Sequence, residues 1–295
     1  MLDTFLGRLE RCTTVNLANR LHISLEMILA PAEIALLAAQ VRERGIELPE
    51  ASAHWLGRME TLVVGDGRPT EAYVRRTLAD DASWYAAPAS PAERAERTVV
   101  IAFTGDAHRL MMPLALFLQN CPADRYEFLV VFDRARRLYL DGVAGLGDTL
   151  EATLERMASI APRSLFRRAM TFGTSAGGMA AVWAAVALRF DRAVSVGGVT
   201  PSEVVTRVQT QGMSADGFAR VIRANAGHLP EVLLVAGEDA ERDRMKARTM
   251  ADFLPATQIF VPGCSDHNAL YDLWTRGELR PFPARLTEPG PESRR

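Results

Sequence analysis

The chain has 295 residues, 48% of them apolar and 24% charged, with a formal net charge of −2 at pH 7. That is the profile of a globular protein with a sizeable core, and it excludes a disordered or fibrous chain. Charge of both signs is spread along the chain without long basic runs, so no long-range field exists for nucleic acid or an anionic membrane, and neither is an expected partner.

Asp3, Glu10 and Arg11 flank the first short apolar stretch, which lacks the charged, apolar and small-residue order of a cleaved signal. Cys12, Cys121 and Cys264 are far apart and outside any pairing motif, which fits a reducing, cytoplasmic setting and a structural role for each. Residues 1–58 carry helical periodicity, with Leu25, Ile28 and Leu29, then Ile34, Leu36, Leu37 and Val41, ending at Gly45. This helical N-terminal extension has three readings: cover for a sheet edge, a surface for homo-oligomerisation, or a lid over a site. Its most apolar part, Ile23 to Ala39, is broken by Glu26, Pro31 and Glu33 and is too short to span a bilayer.

Thr61–Val64 and Thr70–Arg75 flank Gly65-Asp66-Gly67 and read as a hairpin, followed by a connector from Ala86 to Glu96. From Thr98 short apolar runs alternate with amphipathic ones. Strands are expected at Thr98–Phe103, Glu127–Phe132, Ala169–Phe172, Ala193–Val196, Glu231–Ala236 and Thr257–Val261. Helices are expected at Pro113–Asn120, Leu150–Ala161, Gly178–Leu188, Glu241–Phe253 and Ala269–Thr275. Continuous apolar strands linked by helices predict an α/β fold, a mostly parallel sheet with helices on both faces. The core then spans 59–279, with 199–230 as a small helical lid and 280–295, rich in proline, as a flexible tail.

The chemistry sits at the carboxyl ends of these strands, where open parallel sheets gather reactive groups. Gly173-Thr-Ser175-Ala-Gly177 lies between a strand and a helix, the layout of a nucleophile elbow, with the glycines admitting a turn too tight for larger residues. The N–H of Ala176, opening the helix, is a candidate oxyanion donor. The loop after 231–236 offers Asp239, with Glu238, Glu241 and Asp243 as competitors; Asp239 is preferred because it precedes the helix and is free to turn towards a histidine. The loop after 257–261 ends in His267. The order Ser175, Asp239, His267 suits nucleophile, orienting acid and base on such a sheet.

From about Thr61 to Thr275 the chain resembles the α/β-hydrolases. The resemblance implies that Thr104-Gly105-Asp106 takes the place of an oxyanion loop, with threonine where histidine is usual, and that the Asp106 N–H is the second donor. It makes Gly105 and His108 candidate substrate contacts, an exposed surface position being the other reading of His108. Val131-Phe132-Asp133 resembles the stretch preceding the elbow. A serine hydrolase acting on a small-molecule carboxylic ester or thioester follows, needing no cofactor. An acyltransferase on the same residues, or a binding protein that kept the fold, are the alternatives. No cysteine–histidine spacing suits a metal, and Gly142-Val-Ala-Gly145-Leu-Gly147 lacks the Lys-Ser/Thr of a phosphate loop.

Overall fold

The computed structural model describes residues 2–65, 67–207 and 215–287. Four helices open the chain: α1 (Leu2–Glu10), α2 (Val15–Ile28), α3 (Pro31–Arg44) and α4 (Glu50–Val64). Thr14 caps α2 through Leu17 N–H at 3.4 Å, Pro31 starts α3 with its fixed φ, and Gly45 ends α3 at φ 61°. Phe5, Leu9, Leu25, Ile34, Leu37 and Met59 form one shared core in this bundle, into which Ala115 also projects.

α4 overturns the expected hairpin at 61–75. Trp55, Met59 and Val63 recur at i, i+4 and i+8 and are all buried in the bundle, so tertiary burial overrides the strand preference of Thr61–Val64. Asp66 lies outside the described residues. The hairpin lies further on, formed by β1 (Val74–Ala79) and β2 (Ala82–Ala86) across a turn at Asp80–Asp81. The expected connector contains one short helix, α5 (Pro91–Ala95), closed by a reciprocal Ser90–Glu93 cap.

The alternating elements follow: β3 (Thr98–Phe103), α6 (Leu114–Gln119), β4 (Tyr126–Val131), α7 (Leu150–Ile160), β5 (Arg168–Thr174), α8 (Ala176–Ala187), β6 (Arg192–Val196), α9 (Pro201–Arg207), α10 (Ala215–Ala224), β7 (Glu231–Gly237), α11 (Glu241–Ala251), β8 (Thr257–Val261), α12 (Ala269–Thr275) and α13 (Pro281–Thr287). All eight strands join one sheet in the order β1-β2-β4-β3-β5-β6-β7-β8. β2 runs antiparallel to β1 and β4; every pairing from β4 to β8 is parallel, as the apolar strands predict.

Alternate strand residues divide between two cores. Ile101, Leu129, Ala169 and Leu234 face α7, α8, α10 and α11, whereas Val100, Phe128, Phe172 and Val235 face α6, α12 and α13. The N-terminal bundle rests on the second face. Ala115 of α6 enters its core, Glu33 of α3 holds Arg75 of β1 at 2.8 and 3.1 Å, and Tyr85 Oη of β2 donates to Ile28 O.

Two further expectations change. The tail is ordered at least to Thr287: Phe282 and Leu286 of α13 are buried, and Leu286 O accepts from the guanidinium of buried Arg192; residues 288–295 lie outside the description. In the segment read as a lid, α10 is the crossover helix of β6 and β7, its Phe218 ring 5.6 Å from Trp183 of α8, while α9 reaches the sheet's carboxyl rim; residues 208–214 lie outside the description. No described helix is long and apolar enough to cross a membrane.

Candidate active site

The junction of β5 and α8 is a tight turn. A Cβ on Gly173 would stand 2.2 Å from Gly177 O, and one on Gly177 would stand 2.4 Å from Phe103 O, so both positions exclude any side chain. Ser175 itself adopts φ 49° and ψ −117°, a conformation rare for a residue with a side chain. Its N–H donates to Val196 O at 2.9 Å and its carbonyl accepts from Gly178 and Val199 N–H. The backbone is thereby locked while the side chain stays half-exposed. Ala176 is the first residue of α8, where an N–H has no acceptor within the helix.

His267 approaches from the loop after β8. Its ring lies over Gly197, whose φ is 56°; a Cβ there would fall 2.9 Å from His267 Cε1. Gly197 follows Val196, the residue that holds Ser175 N–H, so the imidazole and the serine meet across a single residue at the end of β6. Both line one cleft of about 430 Å³. No hydrogen bond joins the two side chains, and such contacts commonly tighten only when substrate is present.

The carboxylate on His267 is Asp243, with Oδ2 2.6 Å from Nδ1. The expected partner, Asp239, does not take this place. Its N–H donates to Cys264 O at 2.9 Å, pinning the two loops side by side, and its exposed side chain lines the cleft. Glu238 is engaged by Gly263 N–H. Held against Asp239 at Cys264, the loop carries His267 past residue 239 to the first turn of α11. The first turn of this helix stands at the sheet's rim, so an acid there faces the cleft. Asp243 is buried, its side chain 7% exposed, while the His267 side chain is 42% exposed.

Lys246, one turn on from Asp243, completes the wall. Its Nζ stands 3.5 Å from Asp243 Oδ1 and 3.4 Å from Glu203 Oε1, which ties α9 to α11. The sequence reading missed Lys246 and Glu203, since only an i, i+3 spacing marks the first and nothing marks the second. It also passed over Gly197, for which the Gly197-Gly198 pair after an apolar strand was the available sign.

The Thr104-Gly105-Asp106 loop follows β3 and borders Ser175. A Cβ on Gly105 would be 3.1 Å from Ser175 Cβ, so the loop backbone runs directly against the serine. Tyr139 Oη donates to the carbonyls of Thr104 and Val131 at 2.9 and 3.1 Å, fixing the start of the loop. Asp133 is buried and accepts Tyr139 N–H at 3.0 Å; burial raises its carboxyl above the ordinary range. His108, at φ 55°, does not line the cleft. Burial, then Arg136 and Arg134, hold its imidazole below its ordinary value. The glycines at 142–147 form a closed turn, with Val143 and Gly147 bridged, rather than a phosphate cradle. Among the described residues no cluster of three or more potential ligands stands together to hold a metal ion.

No protein-family model matches the chain, and no curated relative matches it. Among solved structures it is similar to the capsule O-acetyltransferase of Neisseria meningitidis serogroup A, at 12% identity and a TM-score of 0.51, covering 75% of this chain and 97% of that one. It is also similar to Est1E from Butyrivibrio proteoclasticus, at 12% identity and TM-score 0.45, covering 73% and 99% of the two chains. A third likeness is to MGS-MChE2, an α/β-hydrolase enzyme from a lagoon-sediment metagenome, at 14% identity and TM-score 0.41, covering 72% and 99%. At such identities the likeness is one of architecture. The strand order above, with the likeness to the first of these structures, gives the chain an α/β-hydrolase-like fold.

Proposed function

We propose that the protein hydrolyses a carboxylic ester or thioester through an acyl-serine intermediate on Ser175. The observation that carries this reading is the placing of a strained, half-exposed serine in one cleft with a histidine whose Nδ1 is bound by a buried aspartate 2.6 Å away. A serine hydroxyl is a weak nucleophile until a base takes its proton. With Nδ1 engaged by Asp243, Nε2 of His267 is the nitrogen left for that task, and the carboxylate stabilises the imidazolium that forms. As Oγ attacks, the carbonyl oxygen gains charge, which the N–H groups of Ala176 and Asp106 receive; each such donor is worth about 3 kcal/mol. Collapse expels the alcohol or thiol, protonated by the imidazolium, and a second addition by water releases the acid.

The half-exposed His267 favours water as the acceptor over a second alcohol, which a transferase would need to shelter. Among the described residues the cleft wall is polar, with Glu203, Asp239, Glu241, Arg242 and Lys246 and only Val199 and Ala240 apolar, so short acyl groups on polar partners suit it better than long chains. A fluorophosphonate probe followed by peptide mass spectrometry tests the reading. The label is expected on Ser175, absent from Ser175→Ala and strongly slowed in His267→Ala; label on another residue overturns it.

A further inference from the structure

The loop that follows β3 contains two non-glycine residues in the left-handed region, His108 at φ 55° and Met111 at φ 63°. Such conformations cost about 1–3 kcal/mol each and persist only where the surroundings over-determine them. What holds this loop is Arg109. Its carbonyl accepts Gly105 N–H at 3.1 Å and Thr174 Oγ1 at 3.1 Å, joining the residue beside Ser175 Cβ to the residue that precedes Ser175 in the chain. Its side chain leaves the sheet altogether and meets the N-terminal bundle, with Nη2 2.9 Å from Glu26 Oε2.

Glu26 is a buried carboxylate, 4% exposed, on α2. Its other oxygen accepts Trp55 Nε1 at 3.0 Å and Arg58 Nη2 at 3.2 Å, both from α4. One carboxylate therefore fastens α2 to α4 on one side and the bundle to the serine-flanking loop on the other. A charge needed only to glue two helices would not require a second cation, beyond Arg58, from a loop that also bonds the strand leading to Ser175. Buried charges are costly unless fully paired, so the arrangement fixes the loop relative to the bundle in a single register.

We propose that the Glu26–Arg109 ion pair makes the N-terminal bundle a positioning element for the loop beside Ser175, with Glu26 and Arg109 as its positioning residues. The inference rests on the ester-hydrolase reading above. Its consequence is that the bundle sets the rate of acyl transfer without touching substrate. Misplacing oriented groups by about 1 Å costs up to about a hundredfold in rate, whereas losing one oxyanion donor outright costs about a hundred- to a thousandfold. A loosened loop belongs at the low end of that range.

The test uses the full chain, p-nitrophenyl acetate turnover, fluorophosphonate labelling rates and thermal melting. Glu26→Gln and Arg109→Met are each expected to lower kcat about tenfold with KM within about twofold, labelling falling in parallel. The double variant should be no worse than either single, because both remove one link. Arg109→Lys should recover part of the loss. Arg58→Met removes the bundle-side cation from the same carboxylate; it should lower the melting temperature and leave kcat within about twofold. If Glu26→Gln does not fold, Arg109→Met carries the test, since the bonds of Glu26 inside the bundle survive it. Wild-type kcat in Arg109→Met, or equal kcat losses in Arg58→Met and Arg109→Met, overturns the proposal. Labelling that persists in Ser175→Ala overturns the ester-hydrolase reading instead, so the two failures are distinguishable.

Discussion

Ser175 enters the cleft from a strand–helix junction whose backbone is pinned on both sides, while His267 and Asp243 enter from a loop and a helix start at the rim of β7 and β8, where β8 itself is largely half-exposed. On the serine side, contacts of 2.2–2.4 Å to hypothetical Cβ atoms leave no freedom in the choice of residue. On the histidine side four acids lie within six residues, and the two loops that bring Asp243 and His267 together are joined by hydrogen bonds from Asp239 N–H to Cys264 O and from Gly263 N–H to Glu238 Oε2. Ser175 is thus positioned by steric exclusion in its own turn, while His267 is positioned by how two loops lean on each other. The first admits no side chain at Gly173 or Gly177; the second has one such bare position, Gly237, where a Cβ would stand 2.3 Å from Cys264 O.

The largest effect that sharpens this contrast is expected from the acids. Asp243→Asn should lower kcat by up to about ten-thousandfold through the wrong imidazole tautomer, with the fold intact by circular dichroism. Asp239→Asn should stay within about threefold of wild type, as an exposed side chain away from the imidazole does. Equal losses in the two variants would break the assignment.

On the serine side, Gly177→Ala drives a methyl into Phe103 O and should destabilise the chain by about 3 kcal/mol in urea unfolding, since the contact is with backbone that cannot swing aside. Wild-type stability would show that the junction is looser than its geometry. Gly197→Ala tests the point where the two walls meet. The left-handed φ costs about 1–2 kcal/mol and the new methyl presses on His267 Cε1, so kcat should fall about tenfold with a modest loss of melting temperature.

The smallest effect concerns pH. His108 titrates below its ordinary value in the folded state, so the unfolded chain binds more protons as pH falls through the ordinary histidine range of about 6.5. Stability contributed by neutral His108 is present above that range and is lost as pH drops below it. Asn tolerates the left-handed φ of this position, and His108→Asn should make the decline in melting temperature between pH 7 and 5.5 shallower by about 1–2 °C. An unchanged slope would remove His108 from that account.

The strand–serine–helix turn was legible because its constraint is local: Gly173, Ser175 and Gly177 lie within five residues, between an apolar run and a helix-forming one. The parallel strands were legible for the same reason, being short apolar runs buried on both faces. The misread hairpin at 61–75 shows the limit, because Thr61–Val64 has strand composition and becomes helical only through the burial of Val63 in the bundle. α13 is a second case, a proline-rich stretch ordered by Phe282 and Leu286 against a face that forms far earlier in the chain.

By itself the sequence determined which strands are buried, where the sharp turn with its serine falls and which loop brings the histidine, since these follow from side-chain size, polarity and period. Only the tertiary structure decided that Asp243 rather than Asp239 meets His267, and that Glu26 reaches Arg109 across 83 positions of chain. Those pairings depend on the relative placement of separately folded segments, set by packing and buried hydrogen bonds whose partners are not neighbours along the backbone.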